Sequence, residues 1–311
     1  MLVALPQFAL AVEPVDCFQY YKFQEGLIFD DLHAEKISYS PGEEVIVAYN
    51  LLSRMEAPVV EGKVRVQIFY NAPEQGEQII DEFFAFKDLS LKLNDKIPHE
   101  FRWAIPNGAK KGEYIIKTYF IVGDFFNLAG VSFVPYGPPG MPGEQTTFNV
   151  KNPSTASRIY LSKENTFIND VKYRFGAFSP GYDKTEPITI KTQLVSEGES
   201  KQVDVELEIY KWDDLTGKPM SEHSVKETLS PELNGVEDII YELPALDTGA
   251  YLVKFIAKSG EEKSILKLRF SVPGAKGRFI YLGLDKFPLI KDQKTTIFFC
   301  LSNSADYTTS F

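Results

Sequence analysis

Residues 105–117 read Ile-Pro-Asn-Gly-Ala-Lys-Lys-Gly-Glu-Tyr-Ile-Ile-Lys, and residues 243–254 return the same pattern as Leu-Pro-Ala-Leu-Asp-Thr-Gly-Ala-Tyr-Leu-Val-Lys. In both copies a proline follows an apolar residue, and a glycine stands two residues before a tyrosine. Glycine permits a tight turn, and the tyrosine opens a run of apolar residues rich in strand formers. Each stretch therefore predicts a turn that leads into a β-strand, and their likeness predicts two copies of one structural unit.

Alternation of apolar and polar residues extends the β-pattern to the rest of the chain. Residues 64–68 (Val-Arg-Val-Gln-Ile) alternate in this way, and residues 203–207 (Val-Asp-Val-Glu-Leu) repeat the arrangement. Such alternation places one face of a strand on a core and the other in water. No stretch holds helical periodicity over three turns, and the aromatic share of 14% suits strands. The chain is therefore predicted to be all-β.

The ends of the two copies predict the domain boundaries. Each copy closes on a Phe-x-Val strand, at residues 148–150 and 270–272, and a short segment containing Pro, Gly or Ser follows each. Such segments mark junctions between packed units. We therefore expect one β-sandwich over residues 26–152 and a second over 157–273. Residues 1–25 are expected to be the remnant of a signal peptide and an N-terminal segment.

A third copy begins after the second junction. Residues 295–301 repeat the alternation of residues 188–194 and 45–51. The glycine and tyrosine of this copy would fall beyond Phe311, so residues 277–311 are predicted to be an incomplete third repeat in a fragment of a longer chain. Half a sandwich cannot bury its inner face, so its apolar side chains are expected to be exposed or loosely packed. The alternative is that this segment pairs onto the second sandwich.

The repeated pattern resembles a motif of the immunoglobulin superfamily. Asp247, Gly249 and Tyr251 match the Asp-x-Gly-x-Tyr in which the tyrosine hydroxyl bonds back to the chain, called the tyrosine corner. Gly112 and Tyr114 keep the glycine and the tyrosine, with a lysine at the aspartate position. The resemblance implies tandem immunoglobulin-like β-sandwiches with corners at these residues. No cysteine stands two residues after either tyrosine, so the inter-sheet disulfide of the family is not expected.

Two further resemblances concern location. Residues 40–44 (Ser-Pro-Gly-Glu-Glu) resemble the opening of bacterial and archaeal surface immunoglobulin-like modules, and residues 17–21 resemble the mature start of exported proteins of candidate-phylum bacteria. Residues 1–11 (MLVALPQFALA) end in the Ala-x-Ala of a secretory cleavage site but lack a basic n-region. Export to the cell envelope or the extracellular space is the expectation. The alternative is an N-terminal strand on the first sandwich.

The sequence supports neither catalysis nor a cofactor. A net charge of −10 argues against nucleic-acid binding, and no run of 18 uncharged apolar residues predicts a transmembrane helix. His33, His99 and His223 are scattered without metal-ligand spacing, and no nucleophile elbow or phosphate loop occurs. Residues 30–31 and 213–214 are paired aspartates, but neither pair has the spacing of a dedicated calcium loop. Neither an enzyme nor a metal protein is expected.

Aromatic clusters supply the candidate interaction patch. Consecutive aromatics in a strand point to opposite faces, so one of each pair is expected on the outside. The functional interpretation is a recognition patch, and the alternative is a contact between domains or at a sheet edge. The residues of the patch are Phe83, Phe84, Phe86, Phe125 and Phe126.

These observations favour a non-enzymatic, exported protein of immunoglobulin-like repeats. It would serve as a cell-surface stalk, an envelope component or an adhesin, with a protein or polysaccharide partner at the cell surface. One alternative is an accessory binding module, for carbohydrate or protein, of a larger secreted enzyme. Another is a filament subunit that self-associates when an N-terminal strand completes the sheet of a neighbour.

Overall fold

The computed structural model describes residues 27–53, 59–122, 144–151, 158–175, 181–182, 186–211, 220, 225–274, 277–284, 291–294 and 296–303. All of the regular secondary structure within these ranges is β-strand, which confirms the prediction of an all-β protein. The strands are β1 (Leu27–Ala34), β2 (Ser38–Tyr39), β3 (Glu44–Ser53), β4 (Val59–Ala72), β5 (Gly76–Leu91), β6 (Lys96–Ala104), β7 (Gly112–Val122), β8 (Glu144–Val150), β9 (Arg158–Leu161), β10 (Phe167–Ile168), β11 (Val171–Lys172), β12 (Ile188–Lys211), β13 (Val225–Leu243), β14 (Gly249–Ser259), β15 (Glu262–Val272), β16 (Gly277–Leu284) and β17 (Ile297–Asn303).

The first unit, β1 to β8, encloses an apolar core between two sheets. One sheet has the strand order β1-β3-β6, and the other runs β5-β4-β7-β8-β2. Neighbouring strands are antiparallel, except that β2 lies parallel to β8. Strand β3 shows why these elements form, because its buried side chains stand at every second position and meet the core. The apolar ones are Val45, Val47, Tyr49 and Leu51, and the buried Ser53 continues the alternation.

The second unit, β9 to β15, encloses its core with two long strands, β12 and β13, which pair with each other. The first half of β12 pairs with β9 and β10, and its second half pairs with β14. Strand β13 follows β12 along both halves, with a register shift between Ser196 and Lys201. Gly198 (φ 100°) and Gly235 (φ 94°) lie at this register shift, where a left-handed backbone favours glycine. The two halves of β12 thus pair with different strands, whereas the first unit has separate strands, β3 and β4, in its two sheets.

The last two strands of each unit pair in the same register. In both units the glycine of the repeated pattern faces the closing valine, and the tyrosine faces the closing phenylalanine. The pairs are Gly112–Val150 and Tyr114–Phe148, and Gly249–Val272 and Tyr251–Phe270. The tyrosine and phenylalanine rings stack with centroids 5.4 Å apart in each unit, at 23° and 20° between planes. The sequence repeat is therefore a structural repeat in these strands.

The neighbouring strand departs from the sequence overlay by two residues. Ile68 pairs with Ile116, which lies two residues past the first repeated tyrosine. At the same place in the second unit Val253 pairs with Ile209, whereas the overlay of the two sequences aligns Ile68 with Leu207. A shift of two residues keeps the same face of the strand on the core. The alternation pattern is therefore satisfied by either alignment.

Strands β16 and β17 form a two-stranded antiparallel sheet of their own. Phe279 faces Leu301 in this hairpin, as Phe29 faces Leu51 between β1 and β3. Within the described strand pairings, neither β16 nor β17 joins a strand of the second unit. The side chains of residues 297–301 lie outside the described set, so their exposure stays a prediction.

Candidate functional site

The predicted corner residues lie at the start of β7 and β14. Tyr114 donates its hydroxyl hydrogen to the carbonyl oxygen of Lys110 at 2.9 Å, and Tyr251 donates to that of Asp247 at 2.6 Å. The acceptor is a main-chain oxygen in both units, so a lysine can stand where the second unit has an aspartate. Gly112 has a φ of 148°, and a Cβ there would come 3.0 Å from the Tyr70 ring.

The aromatic patch is divided between the core and the surface. Val64 faces Phe86 and Arg65 faces Phe84, so Ala85 is an extra residue that forms a β-bulge. The bulge turns Phe83 as well as Phe86 toward the first core, whereas Phe84 is 43% exposed on the other face. Of the described part of the patch, Phe84 alone is a surface side chain. Phe125 and Phe126 lie outside the described residues.

The histidines and paired aspartates do not assemble a metal site in the described chain. His33 and His99 flank β3, but His99 packs with its ring 4.3 Å from the Phe86 ring, and burial lowers its pKa. Asp30 pairs with Lys96 at 2.6 Å. No group of three or more potential metal ligands occurs among the residues that the structure describes. His223 and residues 213–214 lie outside that set.

A cluster of charged side chains lies where the two units touch, a region called the seam below. Ile79 of β5 pairs with Ile265 of β15, so the sheet of the first unit continues into the second. Outward-facing residues of β4, β5 and β7 are buried rather than solvated, as Arg65 shows with 5% exposure. The sequence pattern predicts a string of sandwiches and gives no sign of this contact between their polar strand faces.

Glu82 is the centre of the seam. Its carboxylate contacts Lys267 of the second unit, lies 3.5 Å from the Nζ of Lys254, and lies 3.6 Å from the Nη1 of Arg65. Gln67 donates to it at 2.5 Å. The Glu82 side chain is 12% exposed and that of Lys267 is 18% exposed. A carboxylate of the first unit is therefore held by two lysines of the second in a largely dry environment.

The environment of the seam displaces the pKa values of both partners. Burial alone would raise the pKa of Glu82, but the charges of Lys267, Arg65 and Lys254 outweigh burial and hold that pKa at about 2. Burial lowers the pKa of Lys267 to about 7, and the attraction of Glu82 opposes this only in part. Glu82 is therefore ionised at neutral pH, and Lys267 holds its proton weakly.

Further polar contacts extend the seam on both sides of Glu82. Lys263 pairs with Asp81 at 2.8 Å, and the indole nitrogen of Trp103 donates to the same carboxylate at 3.0 Å. Lys110 pairs with Glu197 across the seam. At one end, the backbone and side-chain nitrogens of Asn107 donate to Glu261 at 3.2 Å each.

Arg158 lies between aromatic rings of the two units. Its guanidinium carbon is 4.8 Å from the Tyr70 ring centroid and 4.4 Å from that of Tyr160. It donates to the side-chain oxygen of Gln78 at 2.5 Å, and burial lowers its pKa. Beside it lies a cavity of about 40 Å³, which Tyr114 also lines.

This arrangement of charges is suited to holding two units together. The ionisable groups around Glu82 and Asp81 are mutually paired cations and carboxylates. The polar positions of β4 were visible in the sequence as the polar half of an alternating strand. Nothing in that pattern distinguishes a solvated face from one covered by a distant domain.

Comparison with known proteins gives little beyond this geometry. No protein-family model matches the chain, and no curated protein matches it. A solved structure of Pseudomonas fluorescens alkylpurine DNA glycosylase AlkC bound to DNA containing an abasic-site analogue is similar over 40% of this chain and 30% of that one, with 14% identity and a TM-score of 0.31. Red sea bream transglutaminase is similar over 78% of this chain and 31% of that one, with 9% identity and a TM-score of 0.24.

The chain spans less than a third of either solved structure. Both TM-scores are low, so neither likeness assigns a fold family or an activity to this chain. Within the described ranges, no helix is long and apolar enough to cross a bilayer.

Proposed function

We propose that the chain is a non-enzymatic, exported protein of tandem immunoglobulin-like sandwiches that serves as a rigid stalk, envelope component or adhesin at the cell surface. The strand order β1-β3-β6 opposite β5-β4-β7-β8-β2, with a tyrosine bonded back to the chain four residues upstream, supports the immunoglobulin-like assignment. The alternating strands and the repeated Gly-x-Tyr turn support the assignment of two tandem copies.

The observation that carries the proposal is the seam. Units joined by a linker alone would move freely, whereas here Glu82, Lys267 and Arg65 are buried between them. Removing one charge from such a cluster leaves the others unpaired in a dry environment. The seam therefore favours one fixed arrangement of the units, which a spacer needs if it is to present a surface at a set distance.

Distance measurements between the units test this rigidity. Spin labels at Leu93 and Val171, which are 47% and 64% exposed in different units, would be introduced after replacing Cys17 and Cys300 with serine. We expect a single narrow distance distribution in the parent chain and a broader one after Glu82→Gln. An equally broad distribution in both chains would contradict the rigid spacer.

Location is tested separately by a reporter that is active only after export. The whole chain is fused ahead of such a reporter, and the matched control lacks residues 1–11. Export predicts reporter activity in the first fusion and its loss in the second. Equal activity in the two fusions, or none in the first, would remove the support for a cell-surface role.

One observation favours strand addition as a second candidate. The second half of β13 pairs with β12 on one side, and the described strands provide no partner for its other side. Val236 and Ile240 are 57% and 56% exposed on this strand. An open edge with apolar side chains can accept a strand of another chain. Sedimentation at rising concentration should then show self-association that Ile240→Lys weakens, and a monomer at all concentrations would rule this candidate out.

A further inference from the structure

We propose that Asn107 is a modification site, at which spontaneous loss of the side-chain amide gives aspartate or isoaspartate and loosens the seam. Asn107 and Gly108 lie in the turn between β6 and β7 of the first unit. Across the seam this turn meets Glu261 and Glu262 of the second unit. The inference rests on the proposed role of the seam in fixing the two units, and it adds a way in which that fixation is lost.

The Asn-Gly sequence favours this reaction because glycine has no side chain to hinder its own backbone nitrogen. The nitrogen of Gly108 attacks the Cγ of Asn107 and forms a C–N bond, and the side-chain nitrogen leaves as ammonia with the proton of Gly108. Water opens the resulting succinimide at either carbonyl carbon, which gives aspartate or isoaspartate. The sum is amide plus water to carboxylate plus ammonium, so water is the co-reactant.

The turn leaves the reacting groups accessible. Asn107 is exposed, so solvent reaches its amide. The Ala109 N–H donates to the carbonyl oxygen of Pro106 at 2.9 Å, whereas the Gly108 N–H donates to no acceptor within the described residues. An amide hydrogen that is not held in a hydrogen bond is open to removal by solvent base, and its removal makes the nitrogen a nucleophile.

The contact across the seam depends on the amide that the reaction destroys. The backbone nitrogen and the Nδ2 of Asn107 both donate to the Oε2 of Glu261, at 3.2 Å each. An ionised carboxylate accepts hydrogen bonds and donates none. After the reaction, the contact through Nδ2 is therefore replaced by two negative charges at close range, which repel each other. Isoaspartate in addition lengthens the main chain of the turn by a methylene group.

Glu262 adds to this repulsion. A Cβ on Gly108 would come 2.7 Å from the Oε1 of Glu262, so a second carboxylate of the second unit lies against the same turn. The lysines that line the cavity beside Glu262 already have carboxylate partners. A new negative charge at Asn107 therefore meets two carboxylates, while these lysines are engaged elsewhere.

Ageing of the full chain in mildly alkaline buffer is the test, with Asn107→Gln as the matched control. Glutamine keeps the amide but must close a larger ring, so it reacts far more slowly. Peptide mapping by mass spectrometry should find the acid form at Asn107 in the aged parent chain. Hydrogen exchange is then measured in the peptides that contain Ile79 and Ile265, which pair across the seam, because their amides exchange in proportion to the population of the open seam. Exchange in the aged parent should be about fivefold faster than in the fresh chain, which corresponds to a loss of about 1 kcal/mol of hydrogen bonding. The aged control should exchange as slowly as the fresh one.

Further substitutions separate the charge at this contact from general damage. Asn107→Asp supplies the aspartate product directly and should reproduce the faster exchange. In a Glu261→Gln background the same substitution should have little effect, because the repelling charge is gone. Asn71→Asp is the control outside the seam, since Asn71 donates to Glu113 of its own unit at 2.8 Å and its change should leave exchange in the two seam peptides unaltered.

Absence of the acid form at Asn107 in the aged parent chain would overturn the proposal, and so would unchanged exchange in the seam peptides of Asn107→Asp. In either case the spin-label distances would still be narrow in the parent chain and broader after Glu82→Gln, so this inference can fail while the rigid spacer stands. Broad distances in the parent chain would remove the spacer first, and this inference with it.

Discussion

The cores of the two units and the seam between them are stabilised by different interactions. Each core is apolar and contains the same stacked Tyr–Phe pair, with Phe148 and Phe270 each 1% exposed. The seam instead buries Glu82 against Lys267, Lys254 and Arg65. The cores depend on area removed from water, which is not directional. The seam depends on charges that are costly to desolvate and worthwhile only when all of them are matched.

Because of this difference, the folding of each unit and the arrangement of the two units depend on different residues. Apolar packing tolerates substitutions that keep volume and pattern, so each unit can form from a loose alternation of residues. A buried charge cluster tolerates little, because one missing partner leaves the rest unsatisfied. The cores therefore determine that each unit folds, and the seam determines that the two units adopt one mutual arrangement.

The largest loss in the free energy of unfolding is expected when the aromatic side chains of the two cores are truncated to alanine. Phe148→Ala and Phe270→Ala should each lower the free energy of unfolding by about 3–5 kcal/mol, because each removes a fully buried ring and leaves a cavity. Phe148 also contacts Tyr39 and Trp103, at 5.4 and 6.2 Å between centroids, whereas Phe270 also contacts Tyr182 at 5.9 Å. With more aromatic neighbours among the described residues, Phe148 should show the greater loss on truncation. Urea unfolding followed by near-ultraviolet circular dichroism measures both. With the seam intact, each variant should unfold in one transition, and two separated transitions would show that the units are uncoupled.

A smaller loss in the free energy of unfolding is expected when Glu82, at the centre of the seam, is substituted. Glu82→Gln keeps the shape of the side chain but removes the negative charge that faces Lys267 and Arg65, whereas Lys254 keeps its pair with Glu208 at 3.5 Å. The loss in the free energy of unfolding should be about 3 kcal/mol. The matched control is Glu44→Gln, whose 48% exposed carboxylate pairs with Arg102 at 3.0 Å and should contribute under about 1 kcal/mol. Urea unfolding of the two variants gives the comparison. Equal losses would mean that the seam behaves as ordinary solvated surface.

The pH dependence of the free energy of unfolding in acid tests the same cluster without a substitution. The pKa of Glu82 is about 2 in the folded chain, against an ordinary value of 4.5. A carboxyl group whose pKa falls on folding stabilises the folded state above its ordinary pKa. This stabilisation should be lost progressively as the pH falls from about 4.5 toward 2. Glu82→Gln should show a shallower decline over that window, and an unchanged slope would contradict the low pKa.

The sequence predicted the parts that depend on local pattern. The Gly-x-Tyr turns and the closing Phe-x-Val strands are repeated in the sequence, and in both units the tyrosine pairs with the phenylalanine across the same strand pair. The strand containing Ile68 was aligned two residues away from its structural equivalent, since alternation repeats every two residues. The inward turn of Phe83 together with Phe86 depends on a bulge at Ala85, which alternation alone does not reveal.

The seam could not be predicted for a different reason. Its residues come from strands far apart in the chain, as the contact of Glu82 with Lys267 shows. Each strand by itself has an ordinary polar face, and polar faces are solvated in most sheets. Only the packing of one unit on the other makes these positions buried. The same holds for Arg158, whose aromatic neighbours, Tyr70 and Tyr160, belong to different units.

The smallest expected effect concerns the two tyrosine hydroxyls. Tyr114→Phe and Tyr251→Phe each remove one hydrogen bond to a main-chain carbonyl and keep the stacked ring, so each should cost about 1 kcal/mol in urea unfolding. The two losses should be alike although the residue that supplies the carbonyl is Lys110 in one unit and Asp247 in the other. Asp247→Ala is the control, because the carboxylate is not the acceptor and its removal should change stability by less than about 0.5 kcal/mol. If Asp247→Ala costs as much as Tyr251→Phe, the aspartate side chain stabilises the turn in its own right, and the two corners are then built differently.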